Sequence, residues 1–249
     1  SSNTNVNCSI DNLFVEPRIL NSPQGNLKEE DTVSYNIDLI LSSNENFIIY
    51  GVKESGKTLL LDKMFIEAVR RFNQFNKIPV LVKFSDFKKK DILRVIREFI
   101  PLSSKDADSF LQNNQLVLFI DDIVFNHIDK YKEQIDTLKE LIKKYPKIQL
   151  IVSADLVLEN VIPTDYLDHN DVLNMNIAFI QNFSSKEIKQ LLQKWYVGKE
   201  VDLQDNMQKL IKSFVDFGLP KTPLSVTLFL WIFEKQEKKP INNSVLVEL

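Results

Sequence analysis

Apolar residues fall in short, almost continuous runs through the first three quarters of the chain and at helical spacing thereafter. Asn46 to Tyr50 (NFIIY), Ile78 to Phe84 (IPVLVKF), Leu116 to Ile120 (LVLFI) and Ile148 to Val152 (IQLIV) are predicted strands, and Val172 to Ile180 a fifth. Apolar positions three and four apart predict helices over 31–43, Thr58 to Asn73, Asp91 to Ile100, Ser104 to Asn113 and Tyr131 to Tyr145. Strands that are apolar on both faces and alternate with helices imply a parallel sheet covered on each side. From Ser184 the pattern is purely helical, opening with Ser184 and Glu187 in capping-box spacing. Helices follow at about 185–197, 202–216 and 222–236. Near the start, Leu13 to Leu20 is interrupted by Pro17 and reads as extended. The predicted organisation is an extended N-terminal segment over 1–30, an α/β domain over 31–183 and a small helical domain over 184–249.

Glycine usage sharpens this outline. Five glycines occur in 249 residues, where average usage would place roughly 17. Two of them, Gly51 and Gly56, fall in Gly51-Val52-Lys53-Glu54-Ser55-Gly56-Lys57-Thr58, which matches G-x-x-x-x-G-K-[ST] in full. The motif lies between a predicted strand and a predicted helix, the context in which backbone N–H groups and a helix N-terminus cradle phosphate. Gly51, Ser55, Gly56, Lys57, Thr58 and Leu59 are the candidate phosphate-binding residues. Lys57 would neutralise the β- and γ-phosphates and the Thr58 hydroxyl would hold Mg²⁺.

About 60 residues later, the run LVLFI ends in Asp121-Asp122. A buried strand delivers Asp121 to the edge where ligands bind in open α/β sheets. Asp121 is expected in the magnesium shell, and Asp122 is expected to orient or deprotonate an attacking water. Ser153, after the strand IQLIV, reads equally as a polar sensor of the third phosphate or as a helix-capping or turn serine.

With Gly218-Leu219-Pro220 added, these motifs resemble the STAND class of P-loop NTPases, the NACHT and NB-ARC signalling ATPases, in their bacterial form. The resemblance spans about residues 13–240. It implies a P-loop sheet flanked by helices with a helical lid, binding ATP or ADP with Mg²⁺ and hydrolysing slowly. It places Pro220 against the adenine, although Pro220 and Pro223 also read simply as helix punctuation. Val15, in the extended Phe14-Val15-Glu16-Pro17, corresponds to a stretch that covers the base, or else belongs to a packed linker. The resemblance further implies a fused N-terminal effector, a C-terminal sensor and homo-oligomer formation on activation. A start at Ser1 and a stop at Leu249 within an apolar stretch fit a segment of something longer. One departure stands out. Where many STAND proteins carry Arg after the fourth strand, this chain has Ser153-Ala154-Asp155, and no arginine finger is assigned among Arg18, Arg70, Arg71, Arg94 and Arg97.

Charge and composition narrow the field. A net charge of −3 disfavours nucleic acid as the main partner, leaving a DNA-associated, origin-type ATPase as an alternative. A nucleotide-holding module with little hydrolysis is the other. The single Cys8 excludes an internal disulfide framework and fits a reducing, cytoplasmic setting. No apolar run approaches the length that spans a bilayer. His127 and His169 lack partners at metal-ligand spacing. Lys88-Lys89-Lys90 with Arg94 and Arg97 reads as a solvated face. Leu228, Phe229, Trp231 and Ile232 read as core ahead of an interdomain surface.

Overall fold

The computed structural model describes residues 10–23, 32–88, 92–100, 103–123, 128–156 and 175–236. Cys8, Lys89, Lys90, His127 and His169 lie outside the described residues. The chain divides into two compact units, residues 18–181 and residues 1–17 with 182–249.

The first unit is a seven-stranded sheet flanked by helices. Its strands are β1 (Ile19–Leu20), β2 (Ser34–Tyr35), β3 (Asn46–Gly51), β4 (Ile78–Lys83), β5 (Leu116–Ile123), β6 (Ile148–Asp155) and β7 (Met175–Ile180). They are ordered β2-β1-β7-β3-β6-β5-β4. The five long strands are parallel, and only the short β1 runs antiparallel to both β2 and β7. β6 therefore lies between the strand that leads into the phosphate loop and the strand that carries Asp121. Ile48, Val80, Leu118, Leu150 and Val152 pack with Leu138 and Leu141 in one core. The alternate residues Phe47, Ile49, Phe119 and Ile151 are buried as well, so these strands are covered on both faces, as their unbroken apolar runs require.

Helices of this unit are α2 (Ile37–Ser42), α3 (Lys57–Arg70), α4 (Phe72–Phe75), α5 (Ile92–Phe99), α6 (Ser104–Asn113) and α7 (Ile128–Lys144), counted after a single turn α1 (Ile10–Leu13) in the other unit. The helix expected over 31–43 shrinks to α2. Asn36 is its N-cap and accepts the Leu39 N–H at 2.8 Å, which fixes the start, while Ser34–Tyr35 is extended and pairs with β1. β1 lies at the end of the Leu13 to Leu20 stretch that reads as extended, though nothing in the sequence predicts its pairing. Two-residue strands carry no periodicity to read.

The second unit packs α8 (Ser185–Trp195), α9 (Leu203–Phe217) and α10 (Pro223–Gln236) around Ile188, Leu192, Leu210, Phe214, Val226 and Leu230. The Ser184–Glu187 capping box forms in full. Gly218 caps α9 in the left-handed conformation, φ 61°, with open space where a Cβ would stand. Backbone geometry, not crowding, selects glycine there. On α10, Phe229 and Ile232 are buried as core, but Leu228 and Trp231 are exposed, which corrects their assignment to the core. Among the described residues no helix is long and apolar enough to cross a membrane.

Candidate functional site

The phosphate loop is built by two backbone irregularities and one close approach. β3 ends at Gly51, and α3 starts after Gly56, which sits at φ 88° as a left-handed N-cap with no side-chain cap. Glu54 also has positive φ, 67°, a conformation costly for a residue with a Cβ and common at ligand sites. At Gly51 the constraint is space: an added Cβ would stand 2.2 Å from Ser55 Oγ and 3.1 Å from Lys57 Cγ. The loop thus folds the Ser55 side chain back over Gly51, where Ser55 is 3% exposed and its hydroxyl has no hydrogen-bond partner. A buried orphan hydroxyl, a glycine cradle and an uncapped fourteen-residue helix together fit an anion.

Thr58 and Asp121 meet across the sheet. Thr58 Oγ1 donates to Asp121 Oδ2 at 2.8 Å, joining residues 63 positions apart. The other carboxylate oxygen, Oδ1, accepts from Ser153 Oγ at 2.6 Å. The same Ser153 oxygen accepts the Asp122 N–H at 2.9 Å. Ser153 is completely buried within β6. It is not a helix-capping residue, because β6 runs on to Asp155, and its hydroxyl here orients Asp121.

The end of β5 also differs from expectation. The strand continues to Ile123, with a register shift between Ile120 and Ile123. Ile120 pairs with Val152 and Ile123 with Ala154, so Asp121 and Asp122 together face Ser153. This is a β-bulge, and it explains the φ of 64° at Asp122. The bulge separates the two acids. Asp121 is 7% exposed, whereas Asp122 is exposed.

Lys57 is engaged on three sides. Its Nζ donates to the carbonyls of Gly51 and Val52 at 3.0 Å each and pairs with Asp155 at 2.7 Å. A cleft of about 250 Å³ opens beside the Thr58–Asp121 corner, lined also by Asp62, Lys83 and Asp86. Asp62 is held above the usual carboxylate range by burial first and by the nearby charge of Asp121 second. None of these three was singled out in the sequence. Asp62 was findable, since it lies four residues after Thr58 on α3 and so on the same face. Among the described residues no group of three or more acids, histidines and cysteines could hold a metal ion. The Mg²⁺ expected from the motif would rest on Thr58 and Asp121, whose oxygens converge.

Leu59, on the first turn of α3, is 40% exposed. In the helical unit, Val15 is buried in the core with Phe183 and Ile188, and Pro220 is exposed on the turn after Gly218. Its carbonyl accepts from Ser225 Oγ at 2.6 Å. Val15 thus packs as a core side chain. Of the arginines, Arg71 pairs with Asp38 at 2.5 Å.

A family model described as the P-loop containing dynein motor region matches residues 27–149, which include the phosphate loop and Asp121-Asp122. No curated protein sequence matches the chain. Among solved structures, the replication initiator DnaA bound to AMPPCP and single-stranded DNA is similar with a TM-score of 0.53 and 15% identity, over 80% of this chain and 58% of that one. AMPPCP-bound DnaA from Aquifex aeolicus is similar with a TM-score of 0.54 and 14% identity, over 85% and 62%. The chain spans less than two thirds of the length of either neighbour. The shared feature is the fold, that of a P-loop NTPase.

Proposed function

We propose that this P-loop NTPase domain is an ATP-binding, Mg²⁺-dependent nucleotide switch of a STAND-type signalling or antiviral defence ATPase acting in the cytoplasm. The observation that carries the nucleotide reading is the 2.8 Å contact between Thr58 and Asp121, beside a loop whose buried Ser55 hydroxyl lacks a partner. The loop N–H groups and Lys57 would hold the phosphates, and Thr58 with Asp121 would hold Mg²⁺. When bound, the ion neutralises charge developing on the phosphoryl oxygens. Ser153 keeps Asp121 oriented toward that ion. Asp122, exposed on the bulge, positions water. Slow turnover fits a site for which no arginine finger is assigned, with positioning and charge neutralisation as the means of catalysis.

The signalling assignment rests on the sequence resemblance described above, including Gly218-Leu219-Pro220. In this reading residues 184–249 act as a lid, with Pro220 and Val15 contributing to the adenine pocket. Effector and sensor domains flank the fragment, and ATP-driven opening leads to homo-oligomers. Nucleic acid is not the expected partner: a DnaA neighbour is described with single-stranded DNA, but this chain carries a net charge of −3 and lacks the basic excess that phosphate neutralisation requires. A second reading, a nucleotide-holding module with little turnover, is favoured by the Lys57–Asp155 pair.

Calorimetry with ATP and Mg²⁺ tests the binding. Lys57→Ala should lose most affinity with its fold intact, and equal binding in mutant and parent would sink the assignment. Phosphate release then separates the readings: Asp122→Asn should slow a measurable parent rate while sparing affinity, whereas the holding module releases little or no phosphate and retains its nucleotide.

A further inference from the structure

Asp155 puts a negative charge at the mouth of the phosphate loop. Its carboxylate lies 2.7 Å from Lys57 Nζ, with the lysine side chain 10% exposed and that of Asp155 56% exposed. The backbone holds the pair together. Gly51 and Asp155 are register partners in the parallel β3–β6 ladder, and the next residue, Leu156, donates its N–H to Gly51 O at 3.0 Å. Asp155 can swing its side chain but cannot leave the loop.

An ammonium has three donors. In Lys57 they are committed to Gly51 O, Val52 O and the Asp155 carboxylate. We infer that Asp155 sets the phosphate-chain length the loop accepts, favouring diphosphate over triphosphate, by occupying the side of Lys57 that a terminal phosphate needs. This rests on the reading of the loop as a nucleotide site. A third phosphate reaching Lys57 must displace the carboxylate, which then remains tethered beside the added negative charge. A diphosphate presents only its β-phosphate to Lys57 and brings less negative charge beside Asp155, so it competes with the carboxylate less than a triphosphate does. Half-exposure of Asp155 screens the repulsion, so the bias is moderate rather than absolute. Asp155 acts by competing for the lysine, and turnover is not needed to see it.

Calorimetry of the whole chain with ADP, ATP, pyrophosphate and tripolyphosphate, each with Mg²⁺, tests this. The inorganic pair isolates chain length from base recognition. Asp155→Asn keeps the shape without the charge, and Asp155→Ser serves as a second variant at an exposed strand end. The parent should bind the diphosphates more tightly, and both variants should gain about tenfold in triphosphate affinity, equivalent to about 1.4 kcal/mol, with little change for diphosphates. If all proteins bind but the triphosphate-to-diphosphate ratio is the same in parent and variants, the role of Asp155 falls and the nucleotide reading stands. If the parent binds none of the four, both fall.

Discussion

Ser153 and Asp121 are joined by a 2.6 Å hydrogen bond buried between neighbouring strands, and the same hydroxyl takes up the Asp122 N–H freed by the bulge. One serine therefore orients the carboxylate expected to hold Mg²⁺ and stabilises the backbone twist that turns the adjacent acid outward.

Ser153→Ala removes both bonds. The buried Asp121 oxygen and the part-buried Asp122 N–H lose their partner, at a cost of about 1–3 kcal/mol, so the unfolding free energy from denaturant titration should fall by that much. The Mg²⁺ dependence of ATP affinity should weaken with it. Ser153→Thr, which keeps the hydroxyl, should recover the Mg²⁺ dependence better than the stability, since the site is fully packed. Equal magnesium titrations in parent and Ser153→Ala would remove the orienting role.

Gly51→Ala should disrupt the loop through the 2.2 Å approach to Ser55 Oγ. Overpacking of this kind costs about 1–3 kcal/mol. Ser55→Gly in the Gly51→Ala background should restore part of the lost stability, because it removes the atom in the way. A double-mutant cycle by thermal melting reads the coupling. Strictly additive losses would contradict this account of Gly51.

Lys77 offers a pH signature remote from the site. It is 3% exposed, donates to the carbonyls of Leu41 and Ser43 and to Gln149 Oε1, and burial lowers its pKa to about 8. Unfolded, the group titrates near its ordinary 10.5. Between these values the unfolded chain binds more protons, so this residue adds stability as pH rises from 8 toward 10.5. Lys77→Met should lack that rising component while being less stable at pH 7, where three acceptors lose their partner. Parallel unfolding curves at pH 7, 8, 9 and 10 would show it, and identical pH slopes would refute it.

Pro220 tests the lid. Bound nucleotide at a hundredfold excess over Kd stabilises the folded chain by about 2.7 kcal/mol, a melting shift of several degrees. If Pro220 contacts adenine, Pro220→Ala should reduce the shift produced by ATP and leave that of tripolyphosphate unchanged. An unaltered ATP shift, with lower stability only, would return Pro220 to a plain helix punctuator after the Gly218 cap.

Each local device here was legible in sequence because its physical cause is local. The phosphate loop needs two glycines, a lysine and a threonine at fixed spacing, and Gly51, Gly56, Lys57 and Thr58 supply them. The parallel sheet follows from apolar runs that only two-sided burial explains, and the capping box needs only Ser184 and Glu187. What the tertiary structure decided depends on which strands become neighbours. Inserting β6 between β3 and β5 brings Ser153 to Asp121 and Asp155 to Lys57, pairs separated by 32 and 98 positions. No periodicity encodes such meetings, because sheet order is set by how helices and strands pack across the whole unit. The bulge at Asp121-Asp122 is of the same kind: its extra residue exists only relative to the partner strand, and it is what buries one acid and exposes the next.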